Sequence, residues 1–249
     1  MVFIAALLQP RPRAGIVVTD RNVMSVEYCV ISIGALSHNR LWGESGPVRT
    51  AHATTTLVVA DRRLILVDPS LPEPALAARF NERTGRSLGD VTDVFCTTLR
   101  PVHRRSIQAC HHAAWWCGEA ELEHHRRQLD QLLGASQRLN SEEAALVEAD
   151  LKLMDRFRPA PETFTPQVHF YPMIGASPGS AGLLLTPPAT TIAIAGDAVL
   201  TAQHLELGQV WEGCSDVQAA MESLQDLVEV ADLIVPGHDN IVPCPRSLI

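Results

Sequence analysis

The chain has 249 residues, enough for one large domain or two small ones with a substantial buried core, and too many for a mini-protein that needs covalent staples. Its 46% apolar and 19% charged residues are an ordinary globular balance, which excludes a disordered or fibrous chain. A formal charge of −8, with Lys152 the one lysine and no basic block, argues against a nucleic-acid partner.

The run Met1 to Leu8 is apolar but too short to span a membrane, and Gln9-Pro10-Arg11-Pro12-Arg13 ends it. Residues 1–21 read as a loose tail, with a short signal peptide as the alternative, and 22–249 as one domain. Met24 to Leu36 and Thr54 to Val59 carry β-branched residues at strand density, and Arg62-Arg63 turns the second run into Leu64-Ile65-Leu66-Val67, an antiparallel opening. Asp68-Pro69-Ser70 stops it. Pro72 to Thr84 then reads as a helix with Leu76 and Phe80 on one face. Val94 to Thr97 and Ala113 to Cys117 read as short buried strands, Trp115 and Trp116 turning to opposite faces of the second.

Glu119 to Leu133 and Ser141 to Phe157 read as two helices, Ser141 capping the second, and together they make a helical insertion or lid over about 119–157. Three further strand runs follow: Gln167 to Pro172, Ala181 to Thr186 and Thr190 to Ala195. The helix Asp216 to Val230 leads into Leu233-Ile234-Val235 and then Pro236-Gly237-His238-Asp239. No repeat of fixed period and no Gly/Ser linker divides the halves.

The six cysteines, Cys29, Cys96, Cys110, Cys117, Cys214 and Cys244, form no C-x-x-C pair, which reads as reduced thiols in a cytoplasm. Polar residues follow three apolar strands: His103, Asp197 and His238. Two imidazoles and a carboxylate from three strand ends can converge as a facial set of metal ligands. Taken alone, His103 is also a surface loop residue, His238 a turn residue, and Asp197 a cap for a helix beginning near Val199. His124 and His125 are neighbours on a helix, about 100° apart among charged residues, so they read as a solvated face. Ser177 and Ser180 lack a G-x-S-x-G elbow and read as turn hydroxyls. No phosphate-binding glycine loop occurs.

From Met24 to Asn240 the order of these elements resembles the metallo-β-lactamase superfamily. The likeness rests on Thr54-Thr55-Thr56-Leu57 with Ile65-Leu66-Val67-Asp68, on Gly196-Asp197, and on Val235-Pro236-Gly237-His238. It implies an α+β chain, a four-layer αββα sandwich of two mixed β-sheets flanked by helices, and a two-metal site. In that frame Asp197 is the bridging carboxylate, His238 the last histidine, and Asp68 the buried aspartate that supports the ligands from behind.

The departures from the family pattern are chemical. Where it carries T-H-x-H-x-D-H, this chain reads Thr97-Thr98-Leu99-Arg100-Pro101-Val102-His103, so Thr98, Arg100 and Val102 replace two histidines and an aspartate. Ala176 stands where the family's fourth histidine belongs, in Gly175-Ala176-Ser177-Pro178-Gly179-Ser180. Three of seven ligands remain. Arg100 is expected to compete with a metal ion, since two unit charges about 4 Å apart interact by about 4 kcal/mol at an effective dielectric of 20, or instead to pair with Asp197 or with a ligand's carboxylate or phosphate through its bidentate fork. Val102 can neither orient nor deprotonate a water molecule.

The resemblance therefore implies descent from metal-dependent hydrolases with the two-metal chemistry impaired or lost. The expected role is a small-molecule or partner-binding protein whose cleft takes an anionic ligand on Arg100, with His204 a further ligand contact and no membrane partner. The alternative is a mononuclear hydrolase of an ester, lactone or thioester, with one zinc or iron ion on His103, Asp197 and His238. Cys96, His111 and His112 are the candidates to refill the vacant ligand positions.

Overall fold

The computed structural model describes residues 25–134 and 140–245. The expected tail over residues 1–21 and the expected strand start at Met24 lie outside them.

Two six-stranded sheets form the frame. The first is ordered β1 (Glu27–Ser32), β2 (Thr55–Ala60), β3 (Arg63–Val67), β4 (Asp93–Phe95), β5 (Ala114–Cys117) and β6 (Phe157–Pro159). Its first three strands are antiparallel and its last four parallel, so the sheet is mixed. Asp61, at φ 54°, makes the tight β2–β3 turn, a backbone region that aspartate tolerates. The second sheet comprises β7 (Thr163–Thr165), β8 (Val168–Pro172), β9 (Ala181–Leu185), β10 (Ile192–Gly196), β11 (Leu233–Pro236) and β12 (Val242–Pro243), adjacent in that order. Within it β10 and β11 are parallel.

The strands are apolar on both faces because both faces are covered. Between the sheets, Val58, Ile65, Val67 and Phe95 meet Leu183, Ile192, Ile194 and Val235. Outside the first sheet, Leu57, Leu66, Val94 and Trp115 pack with helix α1 (Glu73–Thr84), through its Leu76 and Phe80, and with helices α2 (Glu119–Gly134) and α3 (Ser141–Met154). Outside the second, Ala193, Ala195 and Ile234 pack with helix α5 (Val217–Val230), which buries Ala220, Ser223, Leu224, Leu227 and Val228 on one stripe. These three apolar layers make the αββα sandwich. Trp115 joins the outer core and Trp116 the inner one, as alternation along β5 requires.

Residues 119–157, expected as an insertion or lid, form α2, α3 and the start of β6, with Leu122, Leu129 and Met154 buried in the outer core. Two local expectations are corrected. The cap of α3 is Asn140, not Ser141: its side chain accepts from Glu142 N and Glu143 N, and Glu143 reciprocates on the Asn140 N–H. The helix also stops at Met154, because Phe157 pairs with Trp115 as a strand and is buried there.

Candidate metal centre

β3, β4, β10 and β11 end at the same edge of the sandwich, and the candidate residues follow those ends. Gly196, at φ 53°, closes β10 against Thr97. A Cβ there would lie 2.3 Å from Thr97 Oγ1, so only glycine lets Asp197 turn into the seam between the sheets. Backbone bonds from Gly237 N to Val199 O and from His238 N to Leu200 O, both 2.9 Å, tie the loop after β11 to the loop after β10. Asp197 does not cap the next helix, as one reading had it. Thr201 caps α4 (Ala202–Glu206), accepting from His204 N, which leaves the Asp197 carboxylate for other partners.

His103, Asp197 and His238 come together, each buried, with one ligand atom apiece inside 4.8 Å of the others. Asp197 Oδ1 lies 3.2 Å from His103 Nε2 and 3.3 Å from His238 Nε2. Neither approach has hydrogen-bond geometry, so His103 Nε2 and Asp197 Oδ1 are buried polar atoms without a hydrogen-bond partner. The other ring nitrogens are committed. His103 Nδ1 sits 2.9 Å from Asp68 Oδ2, and His238 Nδ1 sits 2.9 Å from the carbonyl oxygen of His52. A carbonyl can only accept, so His238 Nδ1 carries a proton and Nε2 is the ring atom turned toward Asp197.

Asp68 lies behind His103 and outside the converging atoms. It holds a left-handed backbone at φ 50°, and its carboxylate also accepts from Thr97 N at 2.9 Å and Thr97 Oγ1 at 2.7 Å. Carboxylate, histidine and converging nitrogen in line is how proteins orient a metal-binding imidazole.

The electrostatics point to a cation. Burial opposes charge on His103, but Asp197 and Asp68 outweigh it and lift its pKa to about 10. Burial likewise pushes Asp197 upward, yet His103 and His238 hold its carboxyl well below the usual range. Either a proton or a metal ion answers that demand. Two of the three separations suit a zinc-like ion: 3.2 and 3.3 Å match the roughly 3.3 Å between ligand atoms of a tetrahedral ion with bonds of about 2.0–2.1 Å, and the third lies inside 4.8 Å.

Arg100 occupies the other side of Asp197. Its Nη1 donates to Asp197 Oδ2 at 2.5 Å, its Nη2 donates to the carbonyl of Ala176 at 2.5 Å, and its guanidinium lies 4.3 Å over the Trp211 ring. The two cation positions share Asp197 through different oxygens, so each is met by its own lone pairs. Trp211 was missed from the sequence because it lies in a loop distant from every motif.

Arg100, Asp197, His204, His238 and Trp211 line one cleft of about 260 Å³, together with residues of the segment between β1 and β2. His204 is buried there, with Nδ1 2.7 Å from Thr201 Oγ1, and burial lowers its pKa. The proposed refills are absent from the centre. Cys96 is buried in the outer core, while the His111 and His112 rings lie near the carbonyls of Gln108 and Val91. Among the described residues, His103, Asp197 and His238 are the one metal-competent group.

No family model matches the sequence, and no curated protein matches it. Solved structures do match. One from Thermotoga maritima assigned to the metallo-β-lactamases superposes with a TM-score of 0.64 at 16% identity, over 88% of this chain and 99% of its own. AbOPH, a hydrolase of the β-lactamase superfamily, gives 0.59 at 14% identity, over 89% and 91%. AidC, a dizinc quorum-quenching lactonase, gives 0.58 at 16%, over 82% and 80%. The chain therefore has the metallo-β-lactamase fold, and its His–Asp–His cluster lies at the strand ends of that fold.

Proposed function

We propose that this chain carries a one-metal centre in which a guanidinium replaces the second ion of a two-metal site, and that it is a mononuclear hydrolase of an ester, lactone or thioester. The observation that carries the reading is the division of Asp197: Oδ2 is bonded to Arg100, and Oδ1 faces two imidazole nitrogens without hydrogen-bond geometry to either. Arg100 reaches from the position of one lost histidine to the backbone of another, Ala176, so it spans the space those ligands would serve.

His103, Asp197 and His238 would hold one zinc or iron ion. When bound, it supplies a Lewis acid for a carbonyl oxygen or for water. The rest of the chemistry falls to the chain. Asp68 and the His52 carbonyl fix the two imidazoles so that Nε2 of each faces inward. Arg100 has N–H groups beyond those given to Asp197 and Ala176, and these can hold a developing oxyanion or an anionic ligand group in the cleft. Trp211 and Asp197 keep the guanidinium from swinging out.

A second reading, a binding protein without turnover, is favoured by Val102, which lines the cleft where the family has an aspartate and cannot accept a proton. No helix among the described residues is long and apolar enough to cross a membrane. All six cysteines are free, which suits a reducing, cytoplasmic setting. The test is elemental analysis of chain purified without chelator and then equilibrated with zinc. One ion per chain, lost in His238→Ala, is expected. Two ions would overturn the guanidinium replacement, and none would leave the binding protein. Turnover of simple esters and lactones by the one-ion form separates the two readings.

A further inference from the structure

We infer that Glu121 is a positioning residue that sets Arg100 between Asp197 and Ala176; only the functional consequence of this rests on the one-metal reading above. Glu121 stands in the first turn of α2, is 3% exposed, and does not line the cleft. Its Oε1 accepts from Leu99 N at 2.9 Å, while its Oε2 accepts from Ser177 Oγ at 2.6 Å and Gly179 N at 3.3 Å. Leu99 immediately precedes Arg100. Ser177 immediately follows Ala176, whose carbonyl takes the Arg100 Nη2. One carboxylate thus fixes both the backbone from which the guanidinium springs and the backbone acceptor on which it lands.

A buried carboxylate is costly unless its lone pairs are used, and here three donors use them. The approach that allows it is built from glycine. A Cβ on Gly179 would lie 1.9 Å from Glu121 N, and one on Gly118 would lie 2.4 Å from Gly179 O. Backbone therefore touches backbone where α2 meets the β8–β9 loop, and the short Glu121 side chain can reach both loops. A clamp serving only the outer core would not need to select the two residues beside Arg100 and its acceptor.

The test uses chain labelled with ¹⁵N at arginine, the Arg100 guanidinium signals being assigned by their loss in Arg100→Met. Rotation about the Cζ–Nη bonds of Arg100 is expected to be about five- to tenfold faster in Glu121→Gln and in Ser177→Ala, the change that loss of about one such hydrogen bond produces. Arg63, paired with Asp93 at 2.9 Å, is the internal reference and should not change. Unaltered Arg100 signals in the folded variants, or equal loosening of Arg63, would overturn the inference. If Glu121→Gln does not fold, Ser177→Ala, which removes one bond and no charge, decides alone. Zinc affinity adds a coupled readout: Glu121→Gln should shift it in the natural chain and leave it unchanged in an Arg100→Met background. Equal shifts in both would show that Glu121 does not act through Arg100. Failure of the natural chain to bind zinc would sink the one-metal reading and leave the guanidinium readout standing.

Discussion

Asp197 accepts from a guanidinium through one oxygen and confronts two imidazoles through the other, so its two sides answer mutation in opposite directions. Arg100→Met removes the guanidinium bonded to that carboxylate and leaves a buried charge short of a partner. The metal-free chain should lose about 2–3 kcal/mol in urea unfolding. A dication on the other oxygen of the same carboxylate would be repelled by the guanidinium, by roughly 1.5 kcal/mol for charges about 5–6 Å apart even at the dielectric of water, so zinc should bind about tenfold more tightly once Arg100 is gone. Calorimetric titration of both chains checks the sign, and weaker zinc binding in Arg100→Met would mean the guanidinium supports the cation site instead of opposing it. Much of this residue-scale chemistry was readable in advance: His103, Asp197 and His238 each follow an apolar strand, and Arg100 sits inside a recognisable motif. Trp211 and Glu121 were not readable, because the contacts that give them meaning cross between loops and leave no spacing in the chain.

At the scale of elements, periodicity located the long pieces and failed at short ones. α1 and α5 have buried stripes that repeat along the chain, and β2 and β3 have a turn between them. β6 and β7 are three residues each, so no period can develop, and Phe157 looks like the end of a helix until its pairing with Trp115 is known. The loop that bears Arg100 and His103 is anchored to α3 by a fork. Arg104 Nη1 and Nη2 reach the two oxygens of Asp150, each at 2.7 Å, and His125 Nε2 stands 3.4 Å away. Partial burial alone would raise the Asp150 pKa, but His125 and Arg104 lower it from 3.8 to about 2. A carboxyl depressed on folding stabilises the fold above its unfolded pKa, and the contribution fades as pH falls through the folded one. Asp150→Asn should therefore cost about 1 kcal/mol at pH 7, an allowance reduced for partial exposure, and the gap in urea midpoint between the two chains should narrow from pH 4 downward. A gap independent of pH would assign Asp150 a packing role only.

Across the whole molecule, the candidate centre is a seam. His103 and its support Asp68 follow strands of the first sheet, while Asp197 and His238 follow strands of the second. An ion held by all three would join sheets that otherwise meet through apolar side chains such as Phe95, Leu183 and Ile194. It would bind the folded state and find no preformed site in the unfolded one, so its affinity appears as global stability. At a free zinc concentration about 100 times the dissociation constant the gain is about 2.7 kcal/mol, which for a chain of this length corresponds to a rise in Tm of about 5–10 °C. Asp197→Asn keeps the shape but weakens the only carboxylate in the set, and His238→Ala removes an imidazole from the second sheet alone. Both should abolish the zinc-dependent rise. His124→Ala and His125→Ala, on the α2 helix away from the seam, should keep it. A rise that survives in Asp197→Asn would place the ion elsewhere, and calorimetry with and without zinc on these four chains distinguishes a cation that bridges the sheets from one that adheres to histidines outside the seam.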